Sequence, residues 1–248
     1  MAIPRIIHQT YRSADVPPAL RPGIERLRAM NPGWEYRFYD DAAVEAFIRR
    51  EYRPEFYRAY RRINPVYGAA RADFFRYLLM YRCGGVYLDL KSTTERPLDD
   101  SLRGDDEYVL SFWPNLPHQS VPGAGMHHVL HEQGFVRGEF QNWHIIAAPQ
   151  HPLLHYVTGF MLHCMEAHAG DPQIHGKYGV LMTTGPIMYT LALGRGLGAH
   201  AHRLVGSSDE LGLRYSSVAG HAQHFPGHYA SQQGPVVLLA DPEENASN

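Results

Sequence analysis

Asp89 closes a run of apolar residues, Val86-Tyr87-Leu88, that starts directly after the double glycine Gly84-Gly85. A glycine-ended helix followed by a short apolar strand delivers such a carboxylate to the carboxyl edge of a sheet, where open α/β proteins bind ligands. Lys91 stands two residues further on, and Arg71, Asp73 and Arg76 precede the glycines. Asp73 and Arg76 are three apart and share one helical face. Taken alone, Asp89 reads equally well as a cap or an ion-pair partner, and Asp73–Arg76 as a surface pair worth little. The helix carrying them is otherwise apolar, and that predicts charges at the rim of a pocket. Carboxylate oxygens there suit a hard divalent cation, and a fixed ammonium suits developing phosphate charge.

The elements around these residues are legible. Ile3–His8 reads as an opening buried strand, Ile24–Met30 as a helix after a proline-rich loop, and Trp34–Tyr39 as an alternating strand. Asp40 or Asp41 suits the cap of a helix over Ala42–Arg50, and another starts near Pro54. Val66–Cys83 has the strongest helical spacing, through Ala69, Ala70, Phe74, Leu78 and Tyr81. Val86–Leu90, Tyr108–Phe112, Trp143–Ala148 and Val236–Leu239 read as strands, and Leu153–Ala167 and Pro186–Leu193 as helices. Between Trp113 and Gln141 runs a long Pro-, Gly- and His-rich stretch without period, the kind of loop that is usually functional. Strands alternating with helices predict a mostly parallel α/β sheet flanked by helices, in a single domain over residues 1–240 with a frayed tail at 241–248.

The chain has 248 residues, a formal net charge of −2, 44% hydrophobic and 19% charged residues. That near balance argues against nucleic acid as a partner, which needs a surplus of positive field. Of the 23 basic residues only Lys91 and Lys177 are lysines. Cys83 and Cys164 lie in apolar helical stretches and read as buried thiols of a reducing compartment. The N-terminal residues lack the pattern of a signal peptide, and the longest uncharged apolar stretch, Gly179–Gly194, falls short of the ~20 residues of a spanning helix. The expectation is a cytoplasmic protein, with any membrane contact peripheral and at the inner face.

Four segments together carry a resemblance. They are Ile3-Pro4-Arg5-Ile6-Ile7-His8-Gln9-Thr10-Tyr11, Asn31-Pro32-Gly33-Trp34-Glu35-Tyr36, Ala70-Arg71-Ala72-Asp73-Phe74-Phe75-Arg76-Tyr77 and Gly84-Gly85-Val86-Tyr87-Leu88-Asp89. In order and spacing they resemble the family-32-type glycosyltransferases with the DXD sugar-binding signature, which include yeast initiating mannosyltransferases and bacterial polysaccharide enzymes. Thr183-Thr184-Gly185-Pro186 is similar to the family's Thr-Gly-Pro segment, and His221–Tyr229 to a diverged form of its C-terminal segment.

The resemblance implies a GT-A fold and a retaining hexosyltransferase that uses a nucleotide diphosphate-sugar, UDP-sugar favoured over GDP-mannose. It implies that His8, Gln9, Thr10 and Tyr11 lie beside the nucleotide. Asp73, Arg76 and Gly85 would line the donor, and His224 would lie near the diphosphate. Asp89, as the first acid of the signature, would contact sugar or ribose and help hold Mn²⁺ or Mg²⁺, with His224 as a second ligand. The expected setting is bacterial surface polysaccharide synthesis, with a glycan or lipid-linked glycan as acceptor. Trp113 and Tyr229 are candidates for the acceptor platform, because sugars present apolar C–H faces to aromatic rings, and Asn142 for donor or acceptor contact.

The second acid of the signature is replaced by Lys91, and an ammonium cannot ligate a metal. Three readings stay open. Lys91 pairs with the diphosphate in place of a metal, a catalytic role it would share with Asp89 and Arg76. Alternatively, a metal is held through Asp89 and a histidine. In the third, the site binds sugar nucleotide or glycan without turnover. A nucleotide-sugar hydrolase is a further rival. Met126-His127-His128 with His131 has spacing that could grip zinc, although no cysteine accompanies it, and Gly194-Arg195-Gly196-Leu197-Gly198 has the wrong spacing for a dinucleotide loop.

Overall fold

The computed structural model describes residues 2–115, 123–217 and 232–242. Its centre is a six-stranded sheet in the order β2-β1-β3-β6-β5-β7. The strands are β1 (Ile6–Thr10), β2 (Glu35–Tyr39), β3 (Gly85–Leu88), β5 (Tyr108–Ser111), β6 (His144–Ala147) and β7 (Arg203–Val205). β1 pairs in parallel with β2 and β3, and β5 with β7, while β6 runs antiparallel to both β3 and β5. A two-stranded sheet joins β4 (Thr93–Thr94) to β8 (Leu213–Arg214).

The strand sequences alternate between two cores. Tyr87, Tyr108, Leu110, Ile145 and Ala147 face one cluster, while Ile7, Val86, Leu88, Val109 and Ile146 face the other. The first is covered by α2 (Asp41–Glu51), α3 (Pro54–Arg62), α4 (Gly68–Cys83), α6 (Pro152–Ala167), α7 (Gly176–Thr183) and α8 (Pro186–Gly194). The second is covered by Leu27 of α1 (Arg21–Met30), by Trp34 and Trp143, by Leu211, and by Leu213 of the small sheet. A period of two with both faces apolar is what a central sheet buried on both sides requires.

α4 is the central helix. Every residue from Asp73 to Met80 is buried, as expected of a helix that is apolar nearly all round. It stops at Gly84, whose N–H bonds to Met80 O at 2.9 Å. Gly84 and Gly85 both have positive φ, 63° and 100°. A Cβ on Gly85 would sit 2.5 Å from Ile6 O, so only glycine lets β3 turn off α4 and lie against β1.

Expected strands are recovered with shifted ends, β1 three residues later than read. Asp40 caps α2 through a bond from Ala43 N at 2.9 Å. Val236–Leu239 is not a strand. It contributes only isolated bridges, Ile63 with Val237 and His175 with Pro235. The expected frayed tail begins with an anchored residue, since Asp241 pairs with Arg61 at 3.2 Å. α7, β7 and β8 escaped the sequence reading because they are short and weakly periodic. The stretch read as loop between Trp113 and Gln141 carries a short helix, α5 (His128–Glu132).

Candidate active site

Asp89 follows β3 directly, and its N–H bonds to Trp143 O at 2.8 Å. Because β6 is reversed, its start lies beside the end of β3: Leu88 is in register with His144. That lets one side chain, Arg76, reach both Asn142 and Asp89, although they lie 53 positions apart in sequence. α4 supplies Asp73 and Arg76 from the face packed on β6.

Arg76 joins these groups. Its Nη2 donates to Asp89 Oδ1 at 2.7 Å, and its Nη1 donates to Asn142 O at 2.5 Å and lies 3.3 Å from Asp73 Oδ1. The guanidinium also sits over the Tyr87 ring, 4.8 Å from its centre. Asp73 accepts from Asn142 Nδ2 at 3.2 Å and from Thr184 Oγ1 at 3.3 Å. Tyr77 accepts from Asn142 Nδ2 at 2.9 Å and donates to Thr184 O at 2.9 Å. The Thr-Thr-Gly-Pro segment thus reaches the same cluster. Asp73 and Arg76 are 6% and 5% exposed, which corrects the expected rim position: both are inside. Burial pushes the Asp73 carboxyl up to about 7 against the opposing pull of Arg76. A buried acid beside a fixed guanidinium at a strand end is a site signature more than a stabilising device.

Lys91 does not pair with a carboxylate: among the described residues none lies within 4 Å of its Nζ. The ammonium donates to Tyr215 Oη at 2.7 Å and lies 4.0 Å from that ring's centre. Burial lowers its pKa, partly offset by Asp89. Tyr215 is held edge-on by Trp113 and Trp143, with ring centres 5.1 and 5.4 Å apart. Trp113 in turn donates to Glu139 Oε1 at 2.7 Å. Asn142, expected at a ligand, is 8% exposed and spends its amide N–H groups on Asp73 and Tyr77.

The expected nucleotide-side residues are placed differently from one another. His8 is fully buried, with Nε2 3.0 Å from Gly84 O and Nδ1 3.2 Å from Tyr39 Oη. Burial lowers its pKa to about 4, partly offset by the Gly84 carbonyl. Gln9, also fully buried, donates to Asp89 O at 3.2 Å and accepts from Tyr36 Oη at 3.0 Å. Gly85 is closed off by β1. In this conformation these three position the strand end and offer no open face to a ligand. Thr10 is half-buried and donates to Tyr39 O at 2.8 Å, and Tyr11 packs with Leu20 and Leu90. His224 and Tyr229 lie outside the described residues, as does the rest of His221–Tyr229.

Residues 17–109 match the family described as "Glycosyltransferase sugar-binding region containing DXD motif". That match, like the four segments above, makes residues 17–109 similar to the sugar-binding region of family-32-type glycosyltransferases. It is 38% identical over 100 residues to the mannosyl phosphorylinositol ceramide synthase SUR1 of Saccharomyces cerevisiae, covering 40% of this chain and 25% of that protein. It is 36% identical over 137 residues to inositol phosphoceramide mannosyltransferase 3 of Schizosaccharomyces pombe, covering 55% of this chain and 34% of that protein. The chain thus spans a quarter to a third of the length of these relatives. Among solved structures it superposes on a PaToxG glycosyltransferase with a TM-score of 0.55 at 15% identity, over 79% of this chain and 70% of the other. The fold is GT-A, as the sequence implied.

At this site a divalent cation would need several hard oxygens around Asp89. Among the described residues no group of three or more His, Cys, Asp or Glu is placed to hold a metal. Asp89 already accepts from Arg76, Asp73 is enclosed by three donors, and position 91 carries an ammonium. The described residues do not fit Mn²⁺ or Mg²⁺. The histidines with zinc-like spacing diverge: His127 turns to Glu139 and His128 to Glu132. Sequence reasoning missed Tyr215 and Glu139. No spacing links Tyr215 to Lys91 across 124 positions, and Glu139 lies in the aperiodic stretch.

Proposed function

We propose that this chain transfers a hexose from a nucleotide diphosphate-sugar to a hydroxyl of a glycan or a glycan-bearing lipid, retaining the anomeric configuration. The observation that carries this reading is Asp89 at the carboxyl end of β3, locked by Arg76 beside buried Asp73 at the position of the family signature. The relatives' names favour mannose as the sugar. They also favour an inositol- or sugar-bearing lipid acceptor over a free polysaccharide, so the bacterial polysaccharide setting rests on the sequence resemblance alone. No described helix is long and apolar enough to cross a membrane.

In transfer, the bond from the sugar C1 to the diphosphate oxygen breaks and its electron pair stays on the phosphate. The acceptor oxygen bonds to C1 from the same face, and its proton passes to a phosphate oxygen. The leaving diphosphate gains charge, which a positioned cation stabilises. Lys91 supplies that cation, and Asp89 holds the sugar or ribose hydroxyls. The Tyr215 hydroxyl bonded to Lys91 is exchanged for phosphate oxygen when donor enters.

Release of nucleotide diphosphate from GDP-mannose and UDP-hexoses, with and without acceptor and with Mn²⁺ or chelator, tests this. Acceptor-dependent release that persists in chelator is the expected result. Release independent of acceptor identifies a hydrolase, and none with any donor identifies a binding protein. Lys91→Ala should cut turnover about 10²-fold. Unchanged turnover in that variant removes Lys91 from the mechanism.

A further inference from the structure

The stretch between β5 and β6 closes on a carboxylate that the donor site does not use. Glu139 is 6% exposed. Its Oε1 accepts from Trp113 Nε1 at 2.7 Å, and its Oε2 lies 2.8 Å from His127 Nε2. Gly125 makes this closure possible. Its φ is 74°, and a Cβ there would fall 2.5 Å from Trp113 Cδ1 and 2.7 Å from Glu139 Cγ. The backbone is tied at the same point by Glu139 N to Gly125 O at 2.9 Å.

A carboxylate only accepts, so it fixes the hydrogen of a neutral His127 on Nε2 and leaves the Nδ1 lone pair outward. The His127 side chain is 23% exposed, and Nδ1 has no protein partner among the described residues. This is the arrangement by which a buried acid orients a histidine toward a hydroxyl. The cluster adjoins the donor site, since the Trp113 ring spans from Glu139 to Tyr215, which holds Lys91. The charges of both Asp89 and Glu139 act on the Tyr215 hydroxyl.

We propose that His127, oriented by Glu139, is the acceptor-binding residue of this site, taking a hydrogen bond at Nδ1 from a hydroxyl of a polyhydroxylated acceptor such as a hexose or inositol ring. Trp113 offers the apolar face beside it. His127 takes no proton, because the leaving phosphate does. The inference rests on the transferase reading for its role in turnover, but binding can be measured apart from it.

The test uses the full chain, GDP-mannose as donor, and methyl α-mannoside and myo-inositol as acceptors. His127→Ala should raise the acceptor KM about tenfold, the worth of one hydrogen bond, with the donor KM unchanged. His127→Asn, which keeps an acceptor oxygen near the position of Nδ1, should recover part of the loss, and Glu139→Gln should show a smaller rise. An unchanged acceptor KM overturns the proposal, as does an equal rise of the donor KM, which marks a purely structural role. Separately from turnover, either acceptor should shift the His127 ring-nitrogen NMR signals, and no shift at saturation also overturns it. A shift without nucleotide release keeps the acceptor site and rejects the transferase reading.

Discussion

At the scale of single residues, Arg76 decides whether two carboxylates can share one small volume. With Asp73 6% exposed and Asp89 beside it, removing the guanidinium leaves negative charges without a partner. Arg76→Ala should therefore cost about 3–5 kcal/mol, read as a lower urea midpoint. Arg76→Lys, which keeps the charge but loses the fork, should fall between. Asp89→Asn keeps the shape and one acceptor oxygen. It should leave the unfolding free energy from urea titration within about 1 kcal/mol of the parent while lowering turnover about 10²-fold, measured as nucleotide release. These three positions were legible in the sequence because helical spacing and a strand end are local patterns. Lys91 was legible too, but its partner was not. Tyr215 lies across the β4–β8 pairing, which no local pattern announces.

At the scale of elements, the joint between α4 and β3 sets the position of Asp89. Gly85→Ala would need a φ of 100° in a residue with a Cβ and would drive that Cβ into Ile6 O. It should destabilise by at least about 2 kcal/mol and detach β3 from β1, seen as a lower urea midpoint. His8 guards the same joint by remaining neutral. In the unfolded chain it takes a proton near pH 6.5, and in the fold only near 4. Its contribution is therefore complete above pH 6.5 and is lost as the pH falls toward 4, worth about 3 kcal/mol at the limit. His8→Gln should flatten the stability slope over that window. His144, lowered by burial to about 3, should keep part of the acid slope in the variant. The sequence showed a strand here but placed His8 beside a nucleotide. Its burial follows from the β1–β3 pairing and the Gly84 carbonyl, which are tertiary facts.

At the scale of the whole molecule, the cluster draws on widely separated segments: α4, the end of β3, the start of β6, Thr184, and Tyr215 beyond β8. Donor binding should therefore stabilise the whole fold. At a hundredfold excess over Kd the gain is about 2.7 kcal/mol, visible as a rise in Tm. The rise should be equal with Mn²⁺ and with chelator, and a rise seen only with Mn²⁺ would reject Lys91 as the replacement cation. The amino-acid order by itself determined the α/β class, the family signature, the central helix and the loss of the second signature acid, because each is written in spacing over a few residues. The tertiary structure alone decided that Asp73 and Arg76 are interior, that Asn142 meets Asp73, that Lys91 rests on Tyr215 and that Glu139 orients His127. The reversal of β6 and the closing of the β4–β8 sheet bring together residues far apart in the chain, and the burial they create sets which groups are charged and which are paired.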